Sequence, residues 1–131
     1  MATQKNILFI EDDHSTMEVY QISLEQAGFK VVPISSGEDA SKKIKEIIQG
    51  KAKKPDLVLL DYMLSGIDGL EVLKEIRKNP KIKNLKVFIT TNYSVSELKL
   101  KNKFIKGEKF ILKADYPPRK LIELIKKELE G

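Results

Sequence analysis

"PDLVLLDYMLSGIDGLEVLKEIR", residues Pro55 to Arg77, decides the fold. Leu57 to Leu60 is an unbroken apolar run, too short for a helix, that stops at the charged Asp61. Such a run reads as a strand covered on both faces, the mark of a parallel sheet. From Gly69 to Lys78, ahead of "NP", the pattern turns helical. Strand, polar turn and helix together make one βα unit.

The same alternation extends in both directions. Short β-prone runs fall near residues 7–10, 30–34, 57–60, 87–90 and 110–112, each bounded by polar or turn residues. Helical patterns fill the gaps: Ser15 to Ala27 before Gly28, Glu38 to Gln49 before Gly50, Gly69 to Lys78, Ser94 to Lys106 before Gly107, and Pro118 to Leu129. "SSGEDA" is a helix start, and Gly50 suits a glycine C-cap. Regular alternation implies an α/β fold with parallel strands, right-handed crossovers and helices on both faces of the sheet. Residues 1–131 are expected to form one domain, with no output module after the last helix.

Composition narrows the function. The chain has no cysteine, so disulfides and thiolate metal sites are excluded and a cytoplasmic location is expected. "MATQKNILFIEDD" reads as neither a signal peptide nor a membrane span, so no membrane partner is expected. The net charge of +5 comes from dispersed lysines among glutamates; arginine occurs only at Arg77 and Arg119, and no aromatic platform interleaves the basic residues. That pattern suits a solvated surface better than direct nucleic-acid binding.

In a parallel sheet all strands finish at one edge, and ligands bind in the crevice beyond those ends. Here that edge collects "EDD" at 11–13, Asp61, "TTN" at 90–92 and Lys113. Carboxylates about 4 Å apart repel by about 4 kcal/mol at an effective dielectric near 20, so such a cluster needs a cation or raised pKa values. Hard oxygen ligands favour magnesium, which accepts phosphate oxygens as further ligands. With a lysine and a threonine beside them, these acids suit a phosphoryl group, and Asp61 suits the nucleophile that receives it.

"ILFIEDD", the stretch quoted first, "KVFITTNYS" and "FILKADYPP" together resemble the receiver domain of bacterial response regulators of the chemotaxis type, over the full length. Spacing agrees as well as residue type: Thr91 follows Asp61 by 30 residues (91 − 61), and Lys113 follows Thr91 by 22 (113 − 91). The resemblance implies a flavodoxin-like sheet of order 2-1-3-4-5. It also implies a two-component signalling role, in which a histidine kinase or phosphotransfer protein phosphorylates Asp61 with Mg2+ or Mn2+. Such a module is not a conventional enzyme, although it loses its phosphoryl group by its own hydrolysis. Its output would be an altered interaction through the fourth helix, fifth strand and fifth helix, as a monomer or a phosphorylation-linked homodimer.

Residue by residue, the resemblance makes Asp61 the phosphoacceptor, Thr91 the phosphoryl-binding hydroxyl, Lys113 its cationic partner and Phe110 the switch aromatic. Met63 would give its backbone carbonyl to the metal. Asp12 would be a direct ligand and Glu11 would act through water, because Gly28 stands 17 residues after Glu11 as the family places it. The alternative register, Asp12 with Asp13, stays open on the wording "DDHSTM". Met63 and Tyr93, each two residues past a functional position, are bulky enough to hinder an attacking water and lengthen the life of the phosphoryl group.

The chain also departs from the family. Ser65 replaces a loop proline, Ala114 replaces the proline after the lysine, and Asn92 replaces a small residue. These departures keep a second reading open, a pseudo-receiver that serves as an unphosphorylated binding scaffold. A phosphatase is disfavoured because Met63 stands where its acid would be, and a flavin or nucleotide site because "EDD" would repel phosphate.

Overall fold

A computed structural model describes residues 4–130 of the chain. Strands and helices alternate throughout: β1 (Asn6–Ile10), α1 (His14–Gln26), β2 (Lys30–Ile34), α2 (Gly37–Ile48), β3 (Leu57–Asp61), α3 (Gly69–Lys78), β4 (Val87–Thr91), α4 (Val95–Leu100), β5 (Lys109–Leu112) and α5 (Pro118–Glu130), with a 3-10 turn at Lys113–Asp115. The five strands form one parallel sheet in the order β2-β1-β3-β4-β5. The chain grows outward from β1 to β2 and then returns to place β3 on β1's other side. That reversal opens a crevice beyond the ends of β1 and β3.

Strand periodicity divides the core in two. Ile7, Phe9, Leu57, Leu59, Phe88 and Ile111 meet Met17, Leu24, Leu121 and Ile125 of α1 and α5. The alternate residues Leu8, Ile10, Val58, Leu60, Val87 and Ile89 meet the layer of α2, α3 and α4, where Ile44, Leu73, Ile76 and Leu98 are buried. Covered on both sides, β3 has no exposed position, which explains its unbroken apolar run.

The fourth helix is shorter than its sequence pattern suggests, ending at Leu100 and not at Lys106. A Ser94–Glu97 capping box starts it. Its stop is a Schellman motif: Asn102 takes φ +56°, its N–H donates to the Lys99 carbonyl at 3.1 Å, and the Lys103 N–H donates to Leu98 at 2.8 Å. α1 ends the same way at Gly28 and α2 at Gly50. Asparagine tolerates the left-handed conformation, so it stops α4 well ahead of Gly107. The freed segment turns Phe104 toward Phe110, with ring centroids 5.3 Å apart.

Arg77 has a structural task. It makes a two-pronged ion pair with Glu108, at 2.9 and 2.8 Å, and donates to the carbonyls of Lys83 and Leu85. It thereby ties the end of α3 to the entrances of β4 and β5. Among the described residues, no helix is long and apolar enough to cross a membrane.

Candidate functional site

The period of two that builds the core also builds the site. Ile7 and Phe9 lead to Glu11, Leu57 and Leu59 to Asp61, and Ile111 to Lys113, so three polar side chains continue one face of the sheet past its edge. They meet there. The Lys113 ammonium lies 3.1 Å from Glu11 Oε1 and 3.3 Å from Asp61 Oδ2. Asp12 joins them, and Glu11, Asp12 and Asp61 bring carboxylate oxygens within 4.8 Å of one another. Three hard anionic oxygens from two strand ends, with no softer ligand among them, fit magnesium or manganese.

Glu11 and Asp61 are 2% and 5% exposed, so their charges are held largely out of water. Burial raises the pKa of Asp61 to about 7, helped by a hydrogen bond and the charge of Glu11, while Lys113 and the Met63 N–H oppose the rise. Burial also works against the Lys113 ammonium, but Asp61 and Glu11 outweigh it and its pKa is raised. Without a cation, one lysine is balancing two buried acids.

The other candidates are placed as follows. Asp13 lies outside the cluster as the N-cap of α1, accepting from the Thr16 N–H at 2.9 Å and hydroxyl at 2.6 Å. Its carboxyl is held below the usual range by those bonds. Asp12 accepts from both the N–H and the hydroxyl of Ser65. Met63 donates its N–H to Asp61 Oδ1 at 3.2 Å and leaves its side chain exposed. Thr91 is the last residue of β4, a place the sequence reading gave to Thr90. The Thr91 hydroxyl is engaged with Tyr93, accepting from its N–H at 2.8 Å and donating to its carbonyl at 3.3 Å. Thr90 pairs with Asp61 across the ladder and lines a small cavity with Glu11 and Lys113. Phe110 is half-buried beside Phe104. The Tyr93 ring packs edge-on against Tyr62, centroids 6.0 Å apart, under the Lys101 ammonium at 4.8 Å.

A family model for the response regulator receiver domain matches residues 7–126. The chain belongs to that family. Among curated proteins, it is 40% identical over 74 residues to the alkaline phosphatase synthesis transcriptional regulatory protein PhoP of Bacillus subtilis, covering 56% of this chain and 28% of that protein. It is 26% identical over 122 residues to the phosphate regulon transcriptional regulatory protein PhoB of Pseudomonas aeruginosa, covering 93% and 50%. The chain thus spans half or less of the length of these relatives. A response regulator structure from Chloroflexus aurantiacus superposes with a TM-score of 0.79 at 27% identity, covering 98% of this chain and all of the other. The chemotaxis response regulator CheY4 of Vibrio cholerae shares the fold, with a TM-score of 0.75 at 18% identity over 95% and 98% of the two chains.

The Lys113–Ala114 bond is trans, as is every other peptide bond among the described residues. Two features of this receiver domain, Tyr20 and Ser65, were not legible as site parts from the sequence. Lys113 is carried on the 3-10 turn, and the Tyr20 hydroxyl of α1 donates to the Tyr116 carbonyl at 3.0 Å just beyond it. Nothing local marks Tyr20, which lies 96 residues away in sequence. Ser65 could be read only as a missing proline.

Gly69 packs directly under the acceptor. A Cβ there would collide with the Asp61 carbonyl oxygen and press on Tyr62, so the receiver can turn into α3 at this point only with glycine. Gly69→Ala is expected to lower stability by about 1 to 3 kcal/mol in urea unfolding, through backbone displacement beneath Asp61. Gly28→Ala, with open space around its Cβ, tests conformational strain without that collision.

Proposed function

We propose that Asp61 accepts a phosphoryl group from a phosphohistidine of a sensor kinase or phosphotransfer protein, and that this receiver signals by a changed protein interaction. The reading rests on one observation: Glu11, Asp12 and Asp61 converge while Lys113 touches both Glu11 and Asp61. Asp12, Asp61 and the Met63 carbonyl would hold Mg2+ or Mn2+, with Glu11 acting through water. When bound, the cation supplies charge neutralisation to the phosphoryl oxygens.

In the transfer, an Asp61 oxygen forms the new O–P bond as the donor's N–P bond breaks, and the electron pair leaves with the imidazole. Lys113 stands where it can face a phosphoryl oxygen, exchanging an acid for the more highly charged group. Thr91 would trade its bond to Tyr93 for another phosphoryl oxygen, releasing the start of α4. Phe110, beside Phe104, lies between that release and the face formed by α4, β5 and α5, where the downstream protein or a second copy would bind. The cell compartment for this exchange is the cytoplasm, and neither nucleic acid nor membrane takes direct part.

The test is incubation with a small acyl-phosphate donor, followed by intact mass and peptide mapping. Wild type should gain one phosphoryl group, on Asp61, in magnesium and none in EDTA. Uptake that ignores the metal, or label elsewhere, contradicts the proposal; no uptake at all leaves the fold as a binding scaffold.

Loss of the group should be slow for a receiver, because the bulky, largely apolar Met63 and Tyr93 would hinder an attacking water. Met63→Asn and Tyr93→Glu are each expected to speed acyl-phosphate decay several-fold, about 1 kcal/mol of barrier. Unchanged decay in both would remove the role assigned to these side chains.

A further inference from the structure

Asp12 does not reach the cluster unaided. Both of its hydrogen bonds to Ser65 end on the same oxygen, Oδ2: the Ser65 N–H at 2.8 Å and its hydroxyl at 2.7 Å. The two donors come from a residue 53 positions away, on the loop between β3 and α3. That loop is itself anchored. The Ser65 carbonyl accepts from Ile67 at 3.1 Å and from Gly37, the first residue of α2, at 3.4 Å, while Gly66 takes φ +81°.

We propose that Ser65 is a positioning residue for the cation site, fixing Asp12 through Oδ2 so that Oδ1 keeps its lone pairs for the metal. This rests on reading Asp12 as a metal ligand. A carboxylate held by two donors gives up less side-chain freedom when the ion binds, and outer hydrogen bonds of this kind typically carry 10- to 100-fold in metal affinity. The departure from the family pattern is what supplies them. A proline at position 65 has neither an N–H nor a hydroxyl, so both bonds would be missing. The same contacts join cation binding to the β3–α3 loop and, through Gly37, to the start of α2.

The experiment is a Mg2+ titration by calorimetry on wild type, Ser65→Ala and Ser65→Thr, with melting in EDTA to verify that each variant is folded. Ser65→Ala should bind Mg2+ about tenfold more weakly while still melting cooperatively in EDTA, and Ser65→Thr, which restores the hydroxyl, should return to within about threefold of wild type. Ser65→Ala binding Mg2+ as well as wild type, or more tightly, overturns the role of Ser65 and leaves the cation site standing. Failure of threonine to recover affinity lost in alanine overturns it too. A wild type that binds no Mg2+ overturns the cation site itself.

Discussion

Asp61→Asn is expected to take up no phosphoryl group from a donor with or without metal, and in EDTA at pH 8 to be more stable than wild type. The first half follows from chemistry, since an amide does not supply the nucleophilic carboxylate oxygen. The second half follows from the buried charge. Folding raises the pKa of Asp61 from 3.8 to about 7, so between those values the folded chain holds a proton that the unfolded chain has released. Wild-type stability therefore falls as pH rises through that window, and the loss is complete above about pH 8. The full shift corresponds to at most about 4 kcal/mol, and screening by water at the open edge of the sheet reduces this to about 1 to 3 kcal/mol. Asparagine copies the neutral form and escapes the loss. Urea unfolding at pH 4.5 and pH 8 should show the two proteins close at the lower pH and separated at the higher. Saturating Mg2+ should narrow the gap by stabilising wild type alone.

Lys113→Ala is the second large effect. The ammonium is the only side-chain cation within salt-bridge distance of Glu11 and Asp61 among the described residues. Its loss removes the fixed positive charge that would meet the transferred group. The rate of acyl-phosphate uptake should fall by about 100-fold or more, the scale on which single electrostatic donors act in group transfer. The stability change has its own pH signature. Lys113 is held charged in the fold, so its contribution is complete below its unfolded pKa and disappears only as pH rises through the higher folded value. It also opposes the rise in Asp61, so without it Asp61 holds its proton to still higher pH. Lys113→Ala should accordingly lose more stability near pH 8 to 9 than near pH 5, where Asp61 is already neutral and only the pair with Glu11 is lost. Equal losses at both would mean that the Asp61 charge is not what Lys113 balances.

Strand positions were legible because burial on both faces leaves no room for polar residues from Leu57 to Leu60 of β3, and because that pattern changes sharply at Asp61. The convergence of Glu11, Asp61 and Lys113 was legible for the same reason: parallel strands share an edge, and the period of two puts these residues on one face. Two kinds of feature were not. The end of α4 depended on Asn102 adopting a backbone conformation that asparagine tolerates but does not announce, so Gly107 stood out in its place. Ser65 and Tyr20 act through hydrogen bonds to partners 53 and 96 residues distant, and no local pattern encodes such pairings. Asp13 shows the opposite case. Two acidic registers were open on sequence, and the structure places Asp13 on the α1 N-terminus, where a carboxylate has capping work of its own.

The whole account depends on a cation shared between the acid that follows β1 and the acid that ends β3. The direct measurement is an anomalous diffraction map from crystals soaked in Mn2+. A single peak bonded to one oxygen each of Asp12 and Asp61 and to the Met63 carbonyl is the predicted result. Soaked crystals with no peak at this edge, or with one bonded to only a single carboxylate, would contradict it.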